Sequence, residues 1–455
     1  MTTVFITAFQ NMVTKNILNT RVFSDLLKKD IRIVIFCQSE KVEFFQGMFN
    51  QPNIIIKGIS VPDVTLAPLP KLYLRLAYLL VDSHYLWYKK VERRDKKPTI
   101  ISHLKYYFYH GFAKFFAGHR ILARIFRSSF LTFVDYKSLR QYFKEYKPTL
   151  LFSTDIFDDS DTAFISSAKK EGVKVLGMVR SWDNCYSKGL LRAIPDHIIV
   201  NNSTLKGELI DEHFIASDSI EEVGLPQFDH FINDKRISRA DFCKEMGLDP
   251  TKKIVVFAPA GNALSDTDWE LCDILKDAID QNKFVKPLQI LVRNHPNHPM
   301  IFENIKNRRD FIVELPGKAI GSNQRNREFT MRECKHLADT MFHCDVLIYV
   351  ATTLGLDATV YNKPQIIINF DGFVNKKYTK SVRRYHDEDH MKKLIKTGGV
   401  RVVDNSIELI ESINEYLTDP TMDNEGRARI VEDQLYKVDG RSSQRVVDVL
   451  MKTLL

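Results

Sequence analysis

Residues 346–368 read VLIYVATTLGLDATVYNKPQIII. Val346–Tyr349 is an unbroken apolar run of the kind found in a strand covered on both faces. Ala351, Thr352 and Thr353 interrupt it with small and hydroxyl side chains, which suit a helix N-terminus. Residues 353–361 then read as a short helix. Asn362–Lys363–Pro364 turns the chain, and Gln365–Ile368 is a second buried strand. Strand, helix and strand in this order imply a parallel sheet.

The same rhythm runs outward from this unit. Upstream lie strand patterns at 254–258, 288–292 and 311–313, with a helix over 268–281. An earlier series has strands at 4–8, 32–36, 54–56, 150–153, 174–178, 197–200 and 220–224. Helical segments lie between them. Downstream, 406–417 and 426–455 read as helices whose weak amphipathic pattern would let them pack back across the first half. The expected fold is α/β: two Rossmann-like domains with parallel sheets facing across a cleft. The boundary falls in the polar, turn-like stretch 226–239, giving domains 1–235 and 236–455. Residues from about 70 to 147 break the rhythm and read as a helical insert in the N-terminal half.

A chain of 455 residues suits two such domains, and 44% hydrophobic with 27% charged residues is ordinary for a globular protein. Six cysteines form neither a CxxC pair nor a zinc-like spacing, as expected for idle or buried thiols in a reducing compartment. The N-terminus reads as a first strand rather than a signal peptide. Arg75 and Asp82 interrupt the most apolar stretch, 72–88, so no membrane span is expected. The net charge of +8 is uneven. Between Lys71 and Lys147 stand about 17 basic residues against about 5 acidic ones.

Ligands of open α/β sheets bind beyond the carboxyl ends of the strands. After the strand at 288–292 comes Arg293–Asn294–His295–Pro296. Arg293 can chelate a phosphate through two N–H groups, and His295 can donate to a phosphate oxygen or act as an acid. The plainer alternative is a capped surface loop. After 346–350, the Thr352–Thr353 helix start offers free N–H groups and hydroxyls to a diphosphate. Asp357, one turn on, can accept from a ribose hydroxyl; the alternative is an ordinary N-cap with a buried acid. Gly261 and Asn262 follow the strand at 254–258, and a glycine there permits close approach of a ligand. In the first half, Asn11 follows the first strand and is a candidate acceptor-side contact. Asp155 and Asp159 follow 150–153 and are candidates for the base that deprotonates an acceptor hydroxyl, although a helix start favours Asp on dipole grounds alone. Trp182, Asp183, Asn184 and Lys188 suit recognition of a sugar or polyol; the alternative is a polar turn with one packed Trp. Asp266–Thr267–Asp268 and Asp387–Glu388–Asp389 lack a third ligand, so no metal is expected.

The runs SWDNCYSKG (181–189), IPDHIIVNN (194–202) and EEVGLPQFDHF (221–231) resemble the CDP-glycerol glycerophosphotransferase-like family. They also resemble related GT-B glycosyltransferases of bacterial surface-polysaccharide synthesis. RNHP (293–296), ATTLGLDA (351–358) and DGRSSQRVVDVL (439–450) are similar to the same group. The resemblance spans most of the chain after about residue 150. It implies a metal-independent transferase with no cofactor, whose donor nucleotide sits in the C-terminal half. His295, Thr352 and Thr353 would serve the donor diphosphate, and Asp357 more loosely, because related enzymes often carry Glu there. It does not fix the base. No paired-histidine pattern matches, and His110 and His119 lie in a region too divergent to align. Sugar transfer therefore ranks ahead of polyol-phosphate transfer, with a nucleotide-sugar epimerase as a third reading.

The expected function is transfer of a sugar from a nucleotide-activated donor to a hydroxyl of a cell-surface glycan or lipid-linked acceptor. The insert mixes Tyr106–Tyr109 and Phe112–Phe116 with Lys105, Lys114, Arg120, Arg124 and Arg127. Basic aromatic helices of this kind suit an anionic membrane surface. The expected location is the cytoplasm, peripheral on the inner membrane face. The non-enzyme alternative is a scaffold using only this insert. No nucleic-acid module accompanies it, so nucleic acid is not an expected partner.

Overall fold

A computed structural model describes residues 2–11, 13–60, 67–321 and 323–454. By contact density the chain divides into two compact units, Met1–Asp229 with Arg441–Leu455, and His230–Gly440.

The first unit is built on seven strands: β1 (Thr2–Ala8), β2 (Ile31–Gln38), β3 (Ile54–Ile59), β4 (Leu150–Ser153), β5 (Lys174–Met178), β6 (His197–Val200) and β7 (Ile220–Glu222). They lie in the order β3-β2-β1-β4-β5-β6-β7, and every neighbouring pair is parallel. The second unit has β8 (Lys253–Ala258), β9 (Leu288–Arg293), β10 (Phe311–Glu314), β11 (Lys318–Ile320), β12 (Asn323–Glu328), β13 (Val346–Tyr349), β14 (Gln365–Ile368) and β15 (Arg401–Val403). Six of them form a parallel sheet ordered β10-β9-β8-β13-β14-β15. β11 and β12 make a separate antiparallel hairpin. Both sheets are doubly wound, and the winding reverses between β1 and β4 and between β8 and β13. Those reversals open the crevices in which such sheets bind ligands.

The strand cores explain why the sequence folds this way. Val255, Val256, Leu291, Leu347, Ile348, Ile366 and Ile367 are all fully buried, as expected of central parallel strands covered by helices on both faces. All the expected strands are present. The hairpin and β15 were not expected, because β11 and β15 have three residues each and β12, NQRNRE, has no apolar residue to show a period.

The expected insert consists of helices Pro68–Ala77, His84–Lys96, Ile100–Phe116, Arg120–Phe133 and Lys137–Tyr146, which carry the chain from β3 to β4. Tyr73, Phe126, Phe130, Leu139 and Phe143 anchor them in the first unit's core. Ile100, Phe108, Phe115 and Ile121 remain exposed by 81, 65, 71 and 75%.

The boundary lies at Asp229, a few residues before the expected one, and the last helix, Ser442–Leu454, belongs to the first unit. Its Val446, Val447 and Leu450 pack with Val4, Ile6 and Leu26. Asp229 receives the Ser442 and Ser443 backbone N–H groups at 3.0 and 2.7 Å, which caps the start of that helix. Asp229→Ala should therefore cost about 1–2 kcal/mol. A thermal melt should show the first unit's midpoint falling by roughly 2–8 °C; an unchanged melt would mean the cap does not hold the helix.

Candidate active site

In the second unit the reversal sets two loops side by side, because Ala258 at the end of β8 pairs in register with Tyr349 at the end of β13. One loop is Pro259–Asn262 and the other is Val350–Thr353. The adjacent loop after β9 is 294–300. Gly261 takes φ +84°, and a Cβ there would stand 2.5 Å from the His298 carbonyl oxygen and 3.1 Å from the His295 Cβ. Only glycine fits at that crossing. The Asn262 N–H donates to the His298 carbonyl at 3.3 Å, and the Gly261 N–H to Asp268 Oδ2 at 2.8 Å. Burial pushes the Asp268 carboxyl up to about 6.

His295 is oriented by its own loop. Its Nδ1 accepts the backbone N–H groups of Asn297 and His298 at 3.1 and 3.2 Å. In the neutral ring the proton is therefore on Nε2. Burial, aided by the His298 ring 5.1 Å away, pushes the imidazole down to about 4. At neutral pH His295 is thus an uncharged Nε2–H donor rather than a cation.

Arg293 is placed differently from the expected phosphate clamp. Its guanidinium is 3% exposed and ion-paired with Glu314 at the end of β10, and Glu314 also holds His336 Nε2 at 2.7 Å. Burial opposes ionisation of Glu314, but Arg293 and His336 overcome it and hold the carboxyl at about 2. Arg293 thus braces the β9–β10 edge. Thr352 Oγ1 accepts the Leu354 N–H at 3.3 Å, while Thr353 is exposed at the start of the short helix Leu354–Thr359. Asp357 is buried in that helix, and its N–H reaches the Thr353 carbonyl at 3.4 Å.

A loop that sequence reasoning missed completes this edge. After β14, Asp371 folds residues 371–382 around its carboxylate by accepting from the Val382 and Lys376 N–H groups at 2.8 and 3.1 Å. Arg384 donates to the Leu264 carbonyl at 2.9 Å and stacks on Tyr385, which ties this loop to the one after β8. The cations Lys377, Lys380 and Arg383 ride on it. The signal was the basic run from Lys376 to Arg384, which lies one loop beyond a strand end. The two acidic pairs have other roles. Asp266 pairs with Lys376, and Asp387 accepts the Tyr378 hydroxyl at 2.6 Å. Among the described residues no group of three His, Cys, Asp or Glu is placed to hold a metal.

In the first unit the crevice between β1 and β4 is filled by its own network. Asp155 accepts Arg180 Nε at 2.7 Å, Asn184 Nδ2 at 3.2 Å and the Phe157 N–H at 3.3 Å. Asp159 is paired with Arg192 Nη2 at 2.5 Å. Both candidate bases are therefore committed acceptors. Asp158 caps helix Asp159–Lys170 and receives Gln10 Nε2 at 2.6 Å. Asp161 is fully buried and accepts from Thr7 and from Ser153 Oγ. Burial, reinforced by Asp158 and Asp155, raises its pKa well above the carboxylate range. The helix-capping acids of this network were legible only as a cluster. Asn11 receives the buried Lys41 ammonium at 2.6 Å. Asp183 accepts the Ser181 and Ser187 hydroxyls at 2.5 and 2.8 Å. Trp182 is 7% exposed, and Lys188 is half-buried beside the insert.

Removing Glu314 would leave Arg293 buried and unpaired, so Glu314→Ala should destabilise the second unit by about 3–5 kcal/mol. The pH dependence has a definite sign. Glu314 ionises more readily folded than unfolded, so its contribution is present above the ordinary glutamate range and is lost as pH falls from about 4.3 toward about 2. Urea titrations should show that acid-side loss in wild type and a smaller one in Glu314→Gln. Equal slopes would remove Glu314 as its source.

Comparison with known proteins agrees with the fold. The chain covers 100% of itself and 98% of MnaA from S. aureus in complex with UDP, with a TM-score of 0.57 and 11% identity. For UDP-GlcNAc 2-epimerase from Neisseria meningitidis bound to UDP-GlcNAc the coverage is 99 and 100%, the TM-score 0.55 and the identity 12%. For a variant of the wall teichoic acid polymerase TagF the coverage is 100 and 89%, the TM-score 0.51 and the identity 12%. At these identities the likeness is one of fold, the GT-B arrangement of two doubly wound sheets. No curated protein sequence matches the chain significantly. The model of the CDP-glycerol:poly(glycerophosphate) glycerophosphotransferase family matches residues 157–452, more than half of the chain and all of the strand ends of the second unit. The chain belongs to that family and is a glycosyltransferase-like enzyme that transfers a group from a nucleotide-activated donor.

Proposed function

We propose that the enzyme moves a polyol phosphate of the glycerol-phosphate class from a CDP-activated donor to a hydroxyl of a surface polymer or its lipid-linked primer. The observation that carries this reading is the family match, which includes the His295 and Thr352–Thr353 loops. It moves polyol-phosphate transfer ahead of sugar transfer, the reverse of the order that the motifs alone suggested.

The second unit's strand ends hold the donor diphosphate. His295 Nε2–H and the Thr353 hydroxyl donate to its oxygens, Gly261 lets it approach the backbone, and Asp357 lies behind the helix start. Lys377, Lys380 and Arg383 supply positive charge, so no metal or cofactor is required. The acceptor hydroxyl oxygen attacks the β-phosphorus as the bond to the bridging oxygen breaks; CMP leaves, and the hydroxyl proton passes to its phosphate or to water. Positioning of the reactants and stabilisation of the charge that develops on the departing CMP carry much of such a transfer. This suits a first unit whose Asp155 and Asp159 are already committed to Arg180 and Arg192. The first unit binds the acceptor, with Trp182 and Lys188 as its contacts.

Sugar transfer from a nucleotide sugar is the second reading. Among the described residues, the loops that follow the strands of the first unit carry no histidine to share the chemistry with His295. Product analysis separates the two: a phosphodiester supports the first and a glycoside the second.

No helix among the described residues is long and apolar enough to cross a membrane. We place the enzyme on the cytoplasmic membrane face, through the exposed Ile100, Phe108, Phe115 and Ile121 beside basic residues.

His295→Ala should weaken binding of CDP-glycerol about 10- to 100-fold, the loss of one hydrogen bond to a charged group, with little change in melting temperature. Because His295 is already neutral well below neutrality, donor affinity in wild type should be flat between pH 6 and 8. Calorimetry showing unchanged affinity in the variant, or a wild-type step near pH 6.5 that the variant lacks, would remove His295 from this role.

A further inference from the structure

The first unit contains a cavity of about 800 Å³ whose lining, Lys188 apart, has no part in the preceding roles. Its volume falls in the range of small-molecule sites. It lies between helices Pro68–Ala77 and His84–Lys96 and the residues Ser187–Lys188 that follow β5. Leu72, Leu79 and Leu86 form apolar wall, and Arg75, Lys90, Arg93 and Lys188 bring four cations to it.

Those cations are not spent on the protein. Among the described residues, no carboxylate forms an ion pair with any of the four, whereas neighbouring Lys89 pairs with Glu92 at 3.1 Å and Lys114 with Asp82 at 2.6 Å. Lys90 Nζ is buried and has no hydrogen-bond partner. Leaving an ammonium desolvated and unpaired is costly unless an anion satisfies it. Desolvation accordingly lowers the Lys90 pKa, in part offset by Asp82.

The wall is fixed in place. Ser83 Oγ donates to the Tyr186 carbonyl at 2.8 Å, and the Leu190 N–H donates to the Ala77 carbonyl at 3.0 Å. Gly189 takes φ +72°, and a Cβ there would stand 2.8 Å from the Ala77 carbonyl group. The helices are thus clamped onto the loop that carries Trp182 and Lys188. On the outer side Leu72 is half exposed, so apolar surface continues outward from the cavity.

We propose that this cavity binds an anionic lipid, with a phosphate head on Lys90, Arg93, Arg75 and Lys188 and its hydrocarbon chain along the leucines of helices Pro68–Ala77 and His84–Lys96. The inference rests on the proposed function only in making that lipid the anchor of the acceptor, whose head then lies beside the Trp182–Lys188 loop.

The full chain is titrated by calorimetry with dihexanoyl phosphatidic acid below its micelle concentration. Dihexanoyl phosphatidylcholine and inorganic phosphate are run in parallel. Phosphatidic acid should bind more tightly than either, because only it offers both the chain and an unshielded phosphate. Lys90→Met with Arg93→Ala should lose about tenfold or more of that affinity, and Arg93→Ala alone, at an exposed position, should shift in the same direction. Lys90→Met removes an unsatisfied buried charge, so the melting temperature should not fall. Arg120→Ala with Arg124→Ala removes the same charge from a different helix and should change nothing. Inorganic phosphate binding as tightly as the lipid would overturn the proposal in favour of a plain ion site. Equal binding of phosphatidylcholine would reduce it to apolar adhesion, and equal losses in both charge pairs would reduce it to surface electrostatics. CMP affinity should be the same in every variant. Absent phosphatidic acid binding in wild type that still binds CMP would sink this inference alone, and absent CMP binding in wild type would sink the donor reading.

Discussion

The in-register pairing of β8 with β13 is the constraint on which the rest of the second unit depends. It brings the carboxyl ends of two strands that are about 90 residues apart in sequence to one edge, where the winding of the sheet reverses and the covering helices part. Everything that reads as donor chemistry is hung from that edge. Gly261 lets the loop after β8 pass against the loop after β9, the backbone of that second loop fixes the His295 tautomer, and the Thr352–Thr353 helix start emerges beside them. The loop after β8 is tied to the one after β9 by the Asn262–His298 backbone hydrogen bond, and to the one after β14 by the Arg384 side chain.

The strands were legible in the sequence because a parallel strand buried on both faces must be a continuous apolar run, and few other elements look like that. His295 and Gly261 were legible for a related reason: a polar or glycine residue immediately after such a run has to lie at the strand end. Partners across strands were not legible. Arg293 looks like a free phosphate ligand until β10 is set beside β9, which puts Glu314, 21 residues on, against it. Asp155 and Asp159 look like free bases until Arg180 and Arg192, 25 and 33 residues on, arrive. In each case a strongly charged side chain near a strand end has the look of a ligand contact, and a distant segment supplies its counter-ion. The basic loop after β14 was missed for the converse reason, since its cations lie several residues past the strand and are brought back to the edge only by Asp371.

Charge is handled in opposite ways by the two units. The first unit internalises its acids at the reversal between β1 and β4, where Asp158 and Asp161 hold β1, β4 and the following helix together. It leaves its surplus cations in the insert. The second unit neutralises its buried Arg293 with Glu314 and carries Lys377 and Lys380 exposed on the loop after β14. That division suits a donor whose phosphates sit on the second unit.

Hydrogen–deuterium exchange of the full chain with and without saturating CDP-glycerol tests the placement of the donor most directly. Protection should concentrate in 259–265, 294–299 and 351–356, with the loops after β1 and β4 unchanged. Protection confined to the first unit, or none at the loops after β8, β9 and β13, would contradict it.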